Sequence, residues 1–189
     1  LSNKPTKKRI MKSSTAFLLT DAMKDVIAKG TGKDAKLSSP MAVAGKTGTT
    51  SNNYDYWFSG YTPYHTASVW MGYDKNTNFA SDNTHKKIWA KVMNEIIKTK
   101  QEQTTDFKKP ADIVKAKVCK ESGKLAIKGV CDHDPRGSRV ITEYFEKGTV
   151  PTQTCDIHVA VEVCKTSDKL ATKNCPANKK QRKIYISLF

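Results

Sequence analysis

Lys46-Thr47-Gly48, running on into Thr49-Thr50, is the segment whose residue types most directly suggest chemistry. It ends a run of small side chains from Met41 that reads as a strand. Gly45 and Gly48 let another backbone or a ligand come close, and a strand edge of this kind can pair with an extended peptide. Lys-Thr-Gly is also one of three elements, with Ser-x-x-Lys and Ser-x-Asn, that together carry out serine acyl transfer. As a bare tripeptide it is a weak signal. The sequence contains no Ser-x-x-Lys, so the attacking serine and the lysine that would activate it are missing. Ser51-Asn52-Asn53 and Ser81-Asp82-Asn83 both fit Ser-x-Asn, but both follow Lys46 and have the composition of turns. A second reactive group is the set of five cysteines, Cys119, Cys131, Cys155, Cys164 and Cys175, all beyond Lys98, with Cys155-x-x-His158 among them.

The elements that must position these residues follow from periodicity. Phe17, Leu18, Ala22, Val26 and Ile27 recur at helical spacing and predict one stripe of a buried helix. Ser13 or Ser14 is placed to cap it, and Gly30 and Gly32 to end it. Tyr56–Tyr61 and Ala67–Tyr73, separated by Thr62-Pro63-Tyr64-His65, predict an antiparallel hairpin. From Thr84 a second helix is predicted, with Ile88, Trp89, Val92, Met93, Ile96 and Ile97 as its apolar stripe. Helix, three strands and helix make an α+β pattern. Trp57, Trp70 and Trp89 are expected to be core residues. After Lys98 the composition changes, and Lys100–Pro110 reads as a polar linker. Beyond it an internal repeat appears. Val118-Cys119-Lys120 runs through Ser122 and Lys124-Leu125-Ala126 to Cys131, and Val163-Cys164-Lys165 runs through Ser167 and Lys169-Leu170-Ala171 to Cys175. Two copies of one small module are expected, each a pair of short strands around a Ser-Gly or Ser-Asp turn. The predicted division is residues 1–99 and 100–189.

The setting of Lys46 is more specific than the tripeptide. Ala44-Gly45-Lys46-Thr47-Gly48-Thr49-Thr50 is preceded by Gly30-Thr31-Gly32. It is followed by Asp55-x-Trp57-Phe58-x-Gly60-Tyr61-Thr62-Pro63 and Val69-Trp70-x-Gly72-Tyr73-Asp74. Together these resemble the transpeptidase domain of class A (bifunctional) penicillin-binding proteins, closely over about residues 13–98. The likeness continues more loosely through Gly148-Thr149-x-Pro151-Thr152-x-x-Cys155-x-x-His158. The resemblance implies the C-terminal part of a β-lactamase-like serine-acyltransferase domain, with antiparallel strands and packed helices, followed by a small Cys-containing β-rich repeat region. It implies that Lys46 supplies positive charge and tunes proton transfer, that the Thr47 and Thr49 hydroxyls bind a terminal carboxylate, and that Gly48 and Thr50 belong to the same substrate-binding strand. The Thr49 backbone N–H would be an oxyanion-hole donor. In the family Ser-x-Asn precedes Lys-Thr-Gly, so neither match here qualifies. The implied partners are the peptidoglycan stem peptide, β-lactams, and the remainder of the transpeptidase, on a second chain or a missing N-terminal part that brings the serine. Alone the chain should form no acyl-enzyme. Leu1-Ser2-Asn3-Lys4-Pro5 has no initiating Met, so the chain is expected to be a piece of a longer protein. The resemblance places it at the extracytoplasmic face of the cell membrane, with its anchor outside this chain.

Such a compartment permits disulfides. The repeat suggests Cys119–Cys131 and Cys164–Cys175, which leaves Cys155 over; Cys131–Cys155 is an alternative pairing. Free thiols also remain open, as does a zinc set of Cys131, His133, Cys155 and His158, whose spacing matches no common finger. No metal site is assigned and no cofactor is implied. The net charge of +15 divides evenly, with 15 Lys/Arg against 7 Asp/Glu in 1–99 and 18 against 11 in 100–189. A nucleic-acid binder more often concentrates its charge, and no recognition motif is present; nucleic acid is not an expected partner. A diffuse basic surface suits work beside an anionic polymer or membrane. The alternative function is therefore a non-catalytic module that binds cell-wall polymer or a wall-assembly protein.

Overall fold

The structure, a computed structural model, describes residue 6, residues 8–80 and residues 83–187. Ser81 and Asp82 of the second Ser-x-Asn match lie outside the described residues. Contacts divide the chain into two compact units, 1–110 and 111–189.

In the first unit α1 (Ser13–Ala28) leads to β1 (Ala44–Thr49), β2 (Asp55–Tyr61), β3 (Thr66–Gly72) and α2 (Thr84–Lys100). The three strands form an antiparallel sheet in the order β1-β2-β3, so β1 is an edge. Register sorts the side chains, because residues opposite one another share a face. Thr47, Phe58 and Val69 lie in one row, and Gly45, Gly60 and Ala67 in another of the same face; Lys46, Ser59 and Ser68 occupy the opposite face, beside Gly48, Trp57 and Trp70. The first face carries the core. Phe58 is fully buried and meets the equally buried Trp89 of α2 edge-to-face, with ring centroids 5.1 Å apart. Met93, Ala90 and Ile97 of α2, Ile27 of α1, and Leu37, Met41 and Val43 complete the cluster. Gly45 and Gly60 are glycines for the same reason. A Cβ at position 45 would stand 2.6 Å from Phe58 Cζ, and one at 60 would stand 2.8 Å from Trp89 Cζ2.

Several expectations need adjusting. Lys12, not a serine, stands at the N-cap of α1, and Ser13 is already helical, accepting a bond from Arg9 (2.9 Å). The predicted stripe of α1 is only partly covered: Ile27 is buried, Phe17, Leu18 and Val26 are half-buried and Ala22 is exposed. On α2, Trp89, Met93 and Ile97 are buried while Ile88 and Val92 stay exposed. At about 100° per residue, one position back turns a side chain well off the buried line. Trp57 and Trp70 are not core residues: each is nearly half exposed (45% and 46%), and they lie beside one another with centroids 6.4 Å apart on the face opposite Phe58. The polar segment after α2 is pinned rather than loose. Glu102 bonds His65 (2.5 Å), Asp106 pairs with Lys24 (2.8 Å), and Thr105 O accepts the Ala42 N–H (3.2 Å).

The second unit holds two antiparallel ribbons, β4 (Ile113–Cys119) with β5 (Val140–Glu146), and β6 (His158–Cys164) with β7 (Lys180–Ile186). The repeat is visible bond for bond. Cys119 N and Cys164 N donate to Lys124 O and Lys169 O, both at 2.8 Å, and Lys120 N and Lys165 N donate to Arg139 O and Lys179 O, again both at 2.8 Å. Gly123 and Asp168 occupy the same left-handed position of the turn (φ 69° and 53°). The expected second strand directly after that turn shrinks to single bridges, Val118 to Leu125 and Val163 to Leu170. Each module takes its full pairing strand from further along the chain.

Candidate functional site

β1 brings Lys46 to Thr49 to the edge of the sheet. Two bonds set the phase of the ladder. Thr50 N donates to Asp55 O (3.1 Å), and Thr62 N donates to His65 O (2.8 Å). In an antiparallel pair, bonded and non-bonded positions alternate. Ala44, Lys46 and Gly48 therefore spend their backbone groups on β2, and the N–H and C=O of Thr47 and Thr49 turn toward the open edge. Lys46 is exposed, and its ammonium donates to the outward Thr47 O at 2.7 Å. The side chains alternate as well: Lys46 and Gly48 share the face of Trp57 and Trp70, and Thr47 and Thr49 the face of Phe58. Only at an edge can one partner touch both sets.

Gly45 and Gly48 are glycines for different reasons. Gly45 is forced by Phe58. At Gly48 the nearest atom to an added Cβ would be Trp57 Cβ at 3.4 Å, an ordinary contact, and its φ is not positive. Among the described residues nothing demands a glycine there.

Thr47 is held from behind. Its Oγ1 lies 2.8 Å from Thr31 Oγ1. Thr31 O in turn accepts a 2.8 Å bond from the buried ammonium of Lys86, which also lies 4.0 Å from Asp34. Lys86 is a functional-looking residue that periodicity could not single out, since it falls among the lysines of a helix. Thr50 closes the β1–β2 loop with Asp55, its hydroxyl donating to Oδ2 (3.1 Å) and accepting the Asp55 N–H (2.9 Å). Asp55 Oδ1 accepts the Trp70 indole N–H at 2.8 Å, which orients that ring on the exposed face. Ser51 and Asn53 sit in that loop, away from any role as a Ser-x-Asn element.

The cysteines divide differently from the expectation. Cys164 and Cys175 are joined by a disulfide. Cys119 and Cys131 are not bonded to each other, and both are buried thiols, as is Cys155. The reason lies in a fourth group. The ligand atoms of Cys119, Cys131, Cys155 and His158 all lie within 4.8 Å of one another. His158 Nδ1 is 3.4 Å from Cys119 Sγ and 3.3 Å from Cys155 Sγ. Three residues of the zinc alternative left open by the sequence, Cys131, Cys155 and His158, are in this cluster; the fourth, His133, is exposed and pairs with Asp132 (3.1 Å), and Cys119 stands in its place. Burial raises the Cys131 thiol to about 12, with Cys155 alongside adding to the effect. Burial opposes ionisation of Cys155 too, but the Ser122 and His158 hydrogen bonds outweigh it and bring that thiol down to about 6. His158 is raised to about 9 against its burial by Cys155 and Asp134.

Among the described residues no helix is long and apolar enough to cross a membrane. Comparison with known proteins shows the family. The family model described as the penicillin binding protein transpeptidase domain matches residues 1–98, and that of the penicillin-binding protein 1A C-terminal domain matches residues 109–160. Penicillin-binding protein 1A of Clostridium botulinum is 35% identical over 192 residues, covering 98% of this chain and 22% of that protein. Its counterpart in Clostridium perfringens is 37% identical over 161 residues, covering 84% and 19%. The chain thus spans about a fifth of the length of the curated relatives it matches. A crystal structure of penicillin-binding protein 1A from Haemophilus influenzae shares the fold, with a TM-score of 0.55 at 23% identity over 78% of this chain and 22% of that one. With one family model covering 98 of the 189 residues, around a Lys-Thr-Gly strand laid open at the sheet edge, this chain belongs to the transpeptidase family of penicillin-binding proteins.

Proposed function

We propose that this chain forms the substrate-binding wall of a peptidoglycan D,D-transpeptidase that is acylated by β-lactams, with the nucleophilic serine supplied from outside these residues. The observation that carries the proposal is the phase of the β1–β2 ladder, which turns the Thr47 and Thr49 backbone groups outward. A D-alanyl peptide pairs with that edge as an added strand. The Thr49 N–H donates to the oxyanion of the tetrahedral intermediate. The Lys46 ammonium supplies positive charge beside the attacking serine and favours loss of its proton. Thr47 has one hydroxyl hydrogen. If that hydrogen goes to the substrate carboxylate, Thr31 must donate to Thr47, and Lys86 holds the Thr31 backbone in place for it. The half-exposed Trp57–Trp70 pair and the free edge of β3 are where the remainder of the domain packs and pairs. The parent enzyme then works at the extracytoplasmic face of the cell membrane.

The test uses fluorescent penicillin. The isolated chain should show no covalent label. In the full-length protein, Lys46→Ala should lower the acylation rate at least a hundredfold, in line with the loss of one well-placed electrostatic group. A labelled band from the isolated chain, or normal labelling of full-length Lys46→Ala, would overturn the proposal. The match of residues 109–160 to a separate C-terminal domain keeps a second role in view for the repeat unit, namely docking cell-wall polymer. Sedimentation of the chain with insoluble peptidoglycan at low salt reads that out.

A further inference from the structure

The repeat unit contains a cluster that acyl transfer does not use. We propose that Cys119, Cys131, Cys155 and His158 bind one zinc ion as a closed structural centre that ties the two ribbons together. All four are buried, and they supply four soft or borderline ligand atoms from four separate places: the end of β4, the short 3₁₀ turn at 131–133, the connection after Pro151, and the first residue of β6.

The geometry fits a tetrahedral ion. With arms of about 2.3 Å to sulfur and about 2.0 Å to nitrogen, neighbouring ligand atoms stand about 3.5–3.8 Å apart. The observed separations from His158 Nδ1 to two sulfurs, 3.4 and 3.3 Å, fall just below that, and the whole set stays within 4.8 Å. The imidazole is presented in the required orientation. Its Nε2 lies 2.8 Å from Asp134 Oδ2, and a carboxylate can only accept, so Nε2 keeps its hydrogen, and Nδ1, which faces the thiols, is the nitrogen that gives up a proton to take a metal. Asp134 is itself locked in place. Its Oδ1 accepts the Arg136 backbone N–H (2.7 Å) and Nε–H (3.1 Å), and its Oδ2 accepts from Arg136 Nη2 (2.9 Å). A carboxylate holding the far nitrogen of a ligand histidine is the usual outer support of a metal site. One sulfur has its own outer donor: Ile127 N–H points at Cys131 Sγ at 3.3 Å. Three thiolates around a divalent ion leave one net negative charge, to which Asp134 adds another. Arg136 and Arg139, 2.9 and 3.7 Å from Asp134 Oδ2, stand against this charge and are shared with Glu121, 3.4 Å from each.

A disulfide explains less. Any pair among the three thiols would strand the third, together with a histidine already oriented toward sulfur. The second copy of the repeat shows what two cysteines do without further ligands: Cys164 and Cys175 simply bond. The unit also needs a staple. A two-stranded ribbon is marginal in water, and among the described residues the partly buried apolar groups packed on the cysteines are Ala126, Ile127, Val140 and Ile157. Thiolate and imidazole in a tetrahedral set select zinc. With all four positions taken by protein and none open to solvent, the ion is structural rather than catalytic.

The experiment uses the full chain, purified under reducing conditions and equilibrated with zinc, then with Co²⁺ as a spectroscopic probe. One zinc per chain is expected by elemental analysis, and the cobalt form should show thiolate charge-transfer absorption with intense tetrahedral ligand-field bands. Cys155→Ser should lose stoichiometric metal. Cys164→Ser should keep it, which separates the centre from the neighbouring disulfide. Asp134→Asn removes no ligand, yet should weaken zinc in chelator competition about 10- to 100-fold. A chain that takes up no zinc while reduced, or an unreduced chain whose mass maps a bond among Cys119, Cys131 and Cys155, overturns the proposal. So does zinc affinity indifferent to Asp134→Asn, because that would mean thiols scavenging metal without the built site.

Discussion

The two glycines of β1 give a test that separates folding from function within one strand. At Gly45 an added methyl would stand 2.6 Å from Phe58 Cζ, 2.9 Å from Ser59 O and 3.1 Å from Gly60 Cα. None of these can yield easily: Phe58 is fully buried against Trp89, and the other two atoms are backbone. Overpacking of this kind costs about 1–3 kcal/mol. For a unit of the size of residues 1–110 that lowers Tm by several degrees. At Gly48 the nearest atom would be 3.4 Å away and φ is not positive, so alanine fits. Narrowing the unfolded ensemble should even add about 0.4–1 kcal/mol. The same methyl stands on the face of Lys46 and Trp57, which the proposed function turns toward the attacking serine. Gly48→Ala should therefore hold or raise Tm and slow β-lactam acylation tenfold or more, about 1.4 kcal/mol of barrier. Gly45→Ala should lower Tm and leave the acylation rate per folded molecule within a few-fold. The assay is calorimetry plus stopped-time fluorescent-penicillin labelling of the full-length protein, corrected for folded fraction. Wild-type acylation by Gly48→Ala, or a Tm loss at Gly48 equal to that at Gly45, would refute the assignment of the outward edge as the substrate surface.

Three further outcomes follow from the packing and the bonds. Thr31→Val removes an exposed hydroxyl partner, so stability should change by less than about 1 kcal/mol; acylation should still slow several-fold, because the Thr47 hydroxyl is no longer held, and unchanged kinetics would remove Thr31 from the site. Trp89→Ala empties the centre of the first unit and should cost about 3–5 kcal/mol in urea unfolding; a loss under 1 kcal/mol would mean that Phe58 and Met93 close over the gap. Cys175→Ser opens the loop closed with Cys164 across a separation of 11 residues, which should cost about 3 kcal/mol of unfolding free energy. Equal stability of oxidised and reduced wild-type chain would contradict that.

The first unit was largely legible because its signals are local. A run of small residues for β1 and two aromatic-rich runs for β2 and β3 placed all three strands within about three residues of their ends, and the turn at Thr62–His65 joined two of them. The outward phase of Thr47 and Thr49 was not legible, since it depends on which residue of β2 stands opposite, and one step of register reverses it. The exposure of Trp57 and Trp70 was also out of reach of sequence. Large aromatics in strands are usually covered, and under the proposed function their cover is the remainder of the transpeptidase domain. In the second unit the repeat was plain in the sequence but its pairing was not. The strand expected after the Ser-Gly turn is replaced by residues 140–146, some fifteen positions on, because the intervening segment bends back to place Cys131 beside Cys119.

The duplicated modules also show how one pattern can end in two chemistries. Cys119 and Cys131 in the first copy correspond to Cys164 and Cys175 in the second, with the same turn and the same backbone bonds around the leading cysteine of each. What differs is the connection between the copies. Cys155 and His158 lie there, and His158 is at once the first residue of β6 and a wall of the first module's cluster. The first module is therefore completed by the beginning of the second, whereas Cys164 and Cys175 have only each other among the described residues. A pairing rule copied from one module to the other was bound to fail at Cys119–Cys131. Identical local sequence sets the positions of two sulfurs, but the number of ligands that reach them from elsewhere decides whether they join each other or surround an ion.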